Sequence, residues 1–234
     1  MECFWTHQAE ADLPHYRVVP DGCMDILFTR PDGEPGALTV AGAMTRTHEF
    51  HLPFGQVTIG LRFRPGMASA MLRVPADELT DQTISLDDLL GNRARYLRER
   101  LANARTIEEH VAIIQQFAPS SSAITPAQKA ITALVASCGD LRIEDLAAMA
   151  NLSARQFRRQ CLTLTGLTPK RLARVLRFQA AMAHARAASR PDWARLAAEC
   201  GYYDQAHLIR DFTELAGQTP AQHWDERTLI SAQP

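Results

Sequence analysis

Hydrophobic residues in the second half of the chain recur with the spacing of amphipathic helices. At positions i, i+4 and i+7 these residues are Phe157, Cys161 and Leu164 in one stretch and Leu208, Phe212 and Leu215 in another. Residues with this spacing lie on one face of an α-helix. Each stretch therefore predicts a helix that buries one face and leaves the opposite face free.

The two stretches belong to longer segments that repeat one another. Residues 143–169 align with residues 193–220 at an offset of 50, which becomes 51 after one extra residue in the second copy. The matched pairs are Leu146/Leu196, Ala147/Ala197, Ser153/Asp204, Phe157/Leu208, Arg159/Arg210, Cys161/Phe212, Leu164/Leu215, Gly166/Gly217, Thr168/Thr219 and Pro169/Pro220. Agreement in one register predicts two copies of the same supersecondary unit.

Each copy has the pattern of a short helix, a tight turn and a second helix. Ser153 and Gln156 have the spacing of a capping box, and Asp204 takes the same N-cap place in the second copy. Gly166 and Gly217 follow the second helices, where a residue in the left-handed conformation commonly ends a helix. The pattern predicts two helix-turn-helix units.

The free face of each second helix carries the candidate DNA-binding residues. They are Arg155, Gln156, Arg158 and Arg159 in the first copy and Gln205, Ala206, His207 and Arg210 in the second. Arginine can pair with guanine, and glutamine with adenine, at the major-groove edges of the bases. A solvated surface is the alternative for one isolated helix, but two copies with the same architecture favour reading of DNA.

The segment between the copies predicts a long helix. Thr168 and Pro169 are a typical N-cap and first-turn pair, and residues 170–189 continue with helical character. About 20 residues at 1.5 Å each span roughly 30 Å, close to the roughly 34 Å between successive major-groove faces. One chain could therefore hold two reading helices one turn apart on a non-palindromic site.

The first half has the alternating pattern of β-strands. Segments 16–20, 23–28, 37–42 and 57–63 predict strands separated by Asp-Gly and Pro-Gly turns. Residues 86–117 predict helices that pack on the strands or on a second subunit, with apolar positions Leu86, Leu89, Leu90, Leu97, Leu101, Val111, Ile114 and Phe117. The predicted class is α+β: a small β-rich domain with flanking helices, then an all-α domain.

Charge separates the two halves at the stretch Pro119–Ser122. Residues 1–125 carry 11 Lys and Arg against 16 Asp and Glu, a net charge of −5, whereas residues 126–234 carry 14 against 10, a net charge of +4. The basic half is the candidate for nucleic acid. We predict a β-rich domain with C-terminal helices over 1–118, a linker over 119–125, a DNA-binding domain over 126–227 and a tail over 228–234.

Composition excludes other classes of protein. With 234 residues, 46% hydrophobic and 22% charged, the chain has ordinary globular composition. No apolar run reaches 18 residues, and the first residues lack the order of a signal peptide, so we predict no membrane association and a cytoplasmic location. The five widely spaced cysteines predict reduced thiols.

Residues 126–224 resemble the AraC/XylS family of bacterial transcription regulators. The motifs are LAAMANLSARQFRRQCLTLTGLTPKRL, RVLRFQAAMA and LAAECGYYDQAHLIRDFTELAGQTPAQHW. The resemblance implies seven helices with two helix-turn-helix units on a long central helix, double-stranded DNA and RNA polymerase as partners, and an activator. It also implies that the eight candidate residues lie on the recognition helices. Leu208 departs from the aromatic that is commoner at its position, and Ala206 from a longer polar side chain.

The first half resembles the N-terminal domain that accompanies AraC-type DNA-binding domains in many regulators, a cupin-like barrel. The motifs are HYRVVPDGCMDILF, GLRFRPGMASAMLRVPADELTD and SLDDLLG. The resemblance implies a sensory or dimerising role. The predicted function is thus a sequence-specific transcription regulator controlled by a small-molecule effector at the N-terminal domain, with a homodimer as a possible assembly.

Two alternatives remain open at this point. A metal-dependent cupin-like enzyme could use the ligand types supplied by His7, His15, His48, Glu49 and His51, although no further His or carboxylate recurs at a matching distance in 57–66. We therefore predict no enzyme activity, no catalytic residue, no metal and no cofactor. An architectural DNA-binding protein without an effector is the second alternative. Arg62 and Arg64 could hold an anionic effector, but ion pairing with the acidic excess is favoured.

Overall fold

A computed structural model describes residues 3–31, 36–117, 123–188 and 191–225. Within these ranges the chain forms seven β-strands, eleven α-helices and one short 3₁₀ helix. The strands all lie before residue 86, and the last seven helices form the C-terminal part. The predicted α+β class is confirmed, whereas the linker stretch Pro119–Ser122 and the tail 228–234 lie outside the described residues.

The strands form two antiparallel sheets. They are β1 (Cys3–Gln8), β2 (Leu13–Val18), β3 (Met24–Arg30), β4 (Ala37–Ala41), β5 (His48–Leu52), β6 (Val57–Phe63) and β7 (Thr83–Ser85). One sheet has the order β1-β6-β3-β4-β7, and the other pairs β2 with β5. The four predicted strands correspond to β2, β3, β4 and β6, while β1, β5 and β7 were not predicted.

The two faces of the larger sheet have different surroundings. Successive side chains of a strand point to opposite faces, and in β3 the positions of Ile26 and Phe28 are buried in the core. The alternate positions Asp25 and Leu27 face a cavity that the β2–β5 sheet covers from the other side. We call this space the sheet cavity; Trp5, Tyr16, Leu27, Phe50 and Arg62 are among its lining residues.

Helices cover the buried face of the larger sheet. They are α1 (Ser69–Leu72), the 3₁₀ helix (Ala76–Leu79), α2 (Leu86–Leu90), α3 (Asn92–Asn103) and α4 (Ile107–Phe117). Leu86, Leu97, Leu101 and Ile114 are fully buried, and α2 and α3 contact β4. The helices predicted over 86–117 are therefore confirmed, and they pack on the strands of the same chain.

The C-terminal part contains the two predicted helix-turn-helix units. Its helices are α5 (Pro126–Ala136), α6 (Ile143–Met149), α7 (Ala154–Thr165), α8 (Pro169–Ala187), α9 (Trp193–Glu199), α10 (Gln205–Ala216) and α11 (Pro220–Asp225). The first helix of each unit has 7 residues and the second has 12. The turn of the second unit is one residue longer, as the alignment of the repeats predicted.

Capping interactions set the ends of the second helices. The Ser153 side chain accepts a hydrogen bond from the backbone of Gln156, and the Asp204 side chain accepts one from the backbone of His207. Gly166 and Gly217 end the two helices with φ of 75° and 71°, a conformation in which only glycine avoids strain from a Cβ atom. The predicted caps and turn positions are confirmed.

Replacing Gly217 by valine is expected to lower the free energy of unfolding by about 2–3 kcal/mol, because a β-branched residue is strained at positive φ. Its Cβ atom would also lie 3.1 Å from an Arg17 nitrogen. Urea unfolding of the full chain measures the effect. The control Ala194→Val places the same side chain on an exposed helix position and should cost about 0.5 kcal/mol. Equal losses in both variants would contradict the assigned turn.

One hydrophobic core extends through both halves of the chain. The 3₁₀ helix and α1 of the first half pack against α7. Gly22, after β2, lies against Leu172 of α8, and Gly66, after β6, lies against Ile131 of α5. The two halves therefore share buried apolar surface as well as polar contacts.

Candidate nucleic-acid interface

The second helix of the first unit, α7, exposes the four residues selected from the sequence. Arg155, Gln156, Arg158 and Arg159 are all exposed, while Phe157 between them is buried. The carboxamide oxygen of Gln156 accepts hydrogen bonds from the Ser153 backbone nitrogen at 2.9 Å and from its hydroxyl at 2.8 Å. In this state Gln156 can still donate to a base or phosphate, but bidentate pairing with adenine needs the same oxygen.

The second helix of the second unit, α10, exposes three of its four selected residues. Gln205, Ala206 and Arg210 are exposed, and His207 is half-buried. The His207 ring packs edge-on against Tyr202 at 5.2 Å between centroids, and its Nε2 atom lies 4.0 Å from a carboxylate oxygen of Asp211. His207 is thus held by its own unit, whereas the other three side chains are open to a partner.

The N-terminal half contacts the C-terminal end of α7. The hydroxyl of Thr80 donates a 2.8 Å hydrogen bond to the carbonyl of Gly166. The backbone of Ala76, in the 3₁₀ helix, lies beside the same glycine. The first turn of α7, which carries Arg155 and Gln156, is at the opposite end of the helix and stays exposed.

The C-terminal end of α10 is held in the same way. The backbone nitrogen and the hydroxyl of Thr47 donate to the carbonyl of Leu215 at 3.0 and 2.9 Å. The Arg17 guanidinium donates to the carbonyl of Ala216 at 2.6 Å. The last carbonyls of a helix lack partners within the helix, and here the N-terminal half supplies donors to them.

Two arginines of the connecting helix α8 contact the second unit and the turn that precedes the first unit. The Arg174 guanidinium donates to Asp211 at 2.8 and 3.1 Å and also pairs with Glu214, both on α10. Hydrogen bonds to Glu214 and Asp211 raise the pKa of Arg174, so it stays charged. Arg177 donates to the carbonyl of Gly139, in the turn that precedes α6. Directed contacts therefore fix α10 and the turn before α6 to the same helix.

Sequence reasoning did not identify several residues of this interface. They are Arg17, Thr47, Thr80 and Arg174, which position the recognition helices, and Tyr203, which is 93% exposed immediately before α10. The partners of the first four are distant in sequence, so no local pattern marks them. The exposure of Tyr203 was not apparent because aromatic residues in a repeat usually predict core positions.

The histidines considered as metal ligands have other partners. His48 pairs with Asp81 at 3.2 Å, and His51 pairs with Asp12 at 2.8 Å. Burial acts to raise the pKa of Asp81, but hydrogen bonds from Thr45 and His48 outweigh burial and lower this pKa below its ordinary value. In the part of the chain that the structure describes, no three His, Cys, Asp or Glu side chains are grouped so that they could hold a metal ion.

Ion pairing of Arg62 is confirmed. Its guanidinium contacts Asp21 at 2.9 Å and makes two hydrogen bonds to Asp25 at 3.0 and 3.1 Å. Arg64, the second arginine considered for an anionic effector, is exposed. The two residues thus have different environments, and only Arg62 lines the sheet cavity.

Two sequence families match separate parts of the chain. Residues 146–224 match a helix-turn-helix domain, and residues 1–85 match a domain of unknown function, DUF6597. The helix-turn-helix domain is of the AraC type. A comparison with curated protein sequences gave no match.

Several solved structures are similar to parts or to most of the chain. The DNA-binding domain of AdpA in complex with a target DNA is 24% identical and aligns over 44% of this chain and 92% of its own, with a TM-score of 0.40. ToxT from Vibrio cholerae O395 is 10% identical and aligns over 98% of this chain and 99% of its own, with a TM-score of 0.46. A DNA-binding transcriptional dual regulator from Escherichia coli K-12 is 18% identical over 47% of this chain and 97% of its own, with a TM-score of 0.38.

Two further observations concern the chain as a whole. None of the described helices combines the length and apolar composition needed to cross a membrane. All five cysteines are free of disulfides; Cys161 and Cys200 are buried, and Cys138 is exposed. Burial raises the pKa of the Cys161 thiol to about 12, which keeps it protonated.

Proposed function

Because residues 146–224 form a helix-turn-helix domain of the AraC type, we propose that this chain is a transcription regulator that reads two adjacent major-groove segments of DNA. The observation that carries the proposal is the pair of matched recognition helices. Both have 12 residues, both bury one apolar face, and both expose Arg or Gln side chains near the N-terminus. Side chains at this end of a helix are placed to reach base edges.

The connecting helix supports reading at two sites. It has 19 residues and therefore spans roughly 28 Å, somewhat less than the roughly 34 Å between major-groove faces one turn apart. Arg174 fixes the second unit to this helix, and Arg177 fixes the turn that precedes the first unit. The eight residues Arg155, Gln156, Arg158, Arg159, Gln205, Ala206, His207 and Arg210 form the proposed DNA-binding set, in which Gln156 and His207 act mainly by positioning.

The contacts between the halves support control by a small molecule at the N-terminal domain. In β2, Tyr16 and Val18 line the sheet cavity, and Arg17 between them reaches the end of α10. A ligand that displaces β2 would therefore change the contacts at the second recognition helix. Such a ligand acts by shifting the population between two arrangements of the halves.

The proposed domains separate ligand binding from DNA binding. Residues 1–118 form the sensory and dimerisation domain, and residues 126–227 form the DNA-binding domain, joined by 119–125. The proposed partners are double-stranded DNA, RNA polymerase, a small-molecule effector and a second copy of the chain. A cytoplasmic location and the absence of enzyme activity belong to the same proposal.

Selection of binding sites from a random duplex library by the full chain tests the proposal. Two short motifs separated by about one helical turn are expected in the recovered sequences. A control with the Arg155→Ala, Arg159→Ala variant should lose one motif and keep the other. A featureless pool, with binding lost at modest salt, would instead indicate an architectural DNA-binding protein, because phosphate contacts alone are strongly salt-dependent.

Replacing Arg17 by methionine is expected to loosen the end of α10 while keeping the aliphatic stem of the side chain. Loss of a charged hydrogen bond to a helix carbonyl should cost about 1.5–3 kcal/mol locally. Amide hydrogen exchange over residues 213–217 measures the change, and it should become faster by about tenfold or more. Arg30→Met, at the exposed end of β3, is the control, and equal exchange in both variants would contradict the contact.

A further inference from the structure

The sheet cavity has the size and walls of a site for a small organic molecule. Its volume is about 320 Å³, near the lower end of the range of about 300–1,000 Å³ for small-molecule pockets. The aromatic rings of Trp5, Tyr16 and Phe50 and the aliphatic chains of Val18 and Leu27 line it. These walls fit a molecule with one or two flat rings.

The guanidinium of Arg62 in the cavity wall is already paired with carboxylates. Arg62 is buried, with 8% of its side chain exposed, and it contacts Asp21 and Asp25 at 2.9 and 3.0 Å. Asp25 also accepts a hydrogen bond from the Trp5 ring nitrogen. Burial alone would lower the pKa of Arg62, but the two carboxylates raise it, so it stays a cation. One guanidinium between two carboxylates gives this part of the wall a net charge of about −1.

An anionic ligand would therefore find an unfavourable site. Arg62 is the only Lys or Arg among the described lining residues, and an incoming carboxylate would have to separate it from Asp21 or Asp25. A carboxylate left buried without its partner costs several kcal/mol. A neutral or cationic ligand keeps these ion pairs and can donate a hydrogen bond to Asp25.

We propose that the sheet cavity binds a flat aromatic molecule that is uncharged or positively charged, and that it rejects carboxylates and phosphates of the same shape. The assignment rests on the proposed function only in treating the N-terminal half as the sensing half. Binding at this site is measurable without DNA. Its failure is therefore distinguishable from failure of the DNA-binding proposal, which the selection experiment tests without a ligand.

Three probes of nearly equal shape test the proposal with the full chain. Tryptamine, tryptophol and indole-3-propionate share an indole ring and a short arm, and they end in an ammonium, a hydroxyl and a carboxylate. Isothermal titration at pH 8 measures the three affinities under one condition; His7 and His51 also line the cavity. Tryptamine and tryptophol are expected to bind at least about tenfold more tightly than indole-3-propionate.

Two variants locate the binding and its charge preference. Leu27→Trp fills the cavity and should abolish binding of all three probes while the chain stays folded by circular dichroism. The double variant Asp21→Asn, Asp25→Asn changes the local charge from about −1 to about +1 and should reverse the order of the probes. If this variant does not fold, the order measured in the unaltered chain decides. Equal or tighter binding of the carboxylate there, no binding of any probe, or binding that survives Leu27→Trp would overturn the proposal.

Discussion

Replacing Arg159 and Arg210 together by alanine is expected to reduce specific DNA affinity by about 2–6 kcal/mol, since each arginine that pairs with guanine contributes about 1–3 kcal/mol. Both side chains are exposed, and they occupy matched positions on the two recognition helices. Preference should also relax at one base in each half of the site. Fluorescence anisotropy with the selected duplex, and with duplexes changed at single bases, measures both effects.

The control for this variant removes the same charge elsewhere. Arg95 and Arg195 are exposed residues of α3 and α9, outside the recognition helices, and their double alanine variant should leave specificity unchanged. If Arg159 and Arg210 contact only phosphate, affinity falls equally on all sequences and the salt slope drops by about one for each arginine. That result would show that both residues contact the DNA backbone and do not recognise bases.

Arg174→Ala should lower the free energy of unfolding by about 3 kcal/mol, because removing one partner of a buried ion pair leaves the other charge uncompensated. The side chain of Asp211 is 4% exposed, whereas that of Arg174 is 22% exposed. We expect the lower end of the range for buried pairs, since water reaches Arg174. Urea unfolding measures the loss, and amide exchange in α10 should become faster because the helix loses its attachment to α8.

Arg195→Ala is the matched control for the stability effect. Arg195 also pairs with a carboxylate, Glu199, at 2.7 Å, but its side chain is 74% exposed. Exposed pairs contribute little, so the loss should stay below about 1 kcal/mol. The combined variant Arg174→Met, Asp211→Asn should recover part of the stability, because it leaves no buried charge without a partner. A loss no larger than that of the control would show that Asp211 does not depend on Arg174.

The C-terminal half was predictable because short sequence patterns determine its helices and turns, and these patterns occur twice. Caps such as Ser153 and Asp204, and the glycines that end the helices, act within a few residues of their positions. The alignment of the two copies then predicted equal lengths for matched helices and one extra residue in the turn of the second unit. What local pattern could not give is the set of contacts with the first half, since Arg17 and Ala216 are 199 residues apart in sequence.

The N-terminal strands show more clearly which features a sequence pattern does not predict. The β5 sequence HEFHL is polar at most positions, and β7 has only 3 residues, so neither has the apolar alternation that predicts a strand. The ion pair between Arg62 and Asp25 in the sheet cavity depends on strand register, because Asp25 of β3 lies directly opposite Arg62 of β6. Pairing between strands separated by more than 30 residues is decided by tertiary packing, which one sequence does not reveal.

The core that extends through both halves has a consequence for how the chain folds. The 3₁₀ helix packs on α7, and the loops around Gly22 and Gly66 pack on α8 and α5. Neither half can lose its structure without exposing apolar surface of the other, so melting should follow one cooperative transition. A helix-turn-helix half produced alone would carry an uncovered apolar patch that promotes self-association. The two halves are thus one folding unit, and exchanging either half between related proteins requires matching the apolar surfaces that the halves bury against each other.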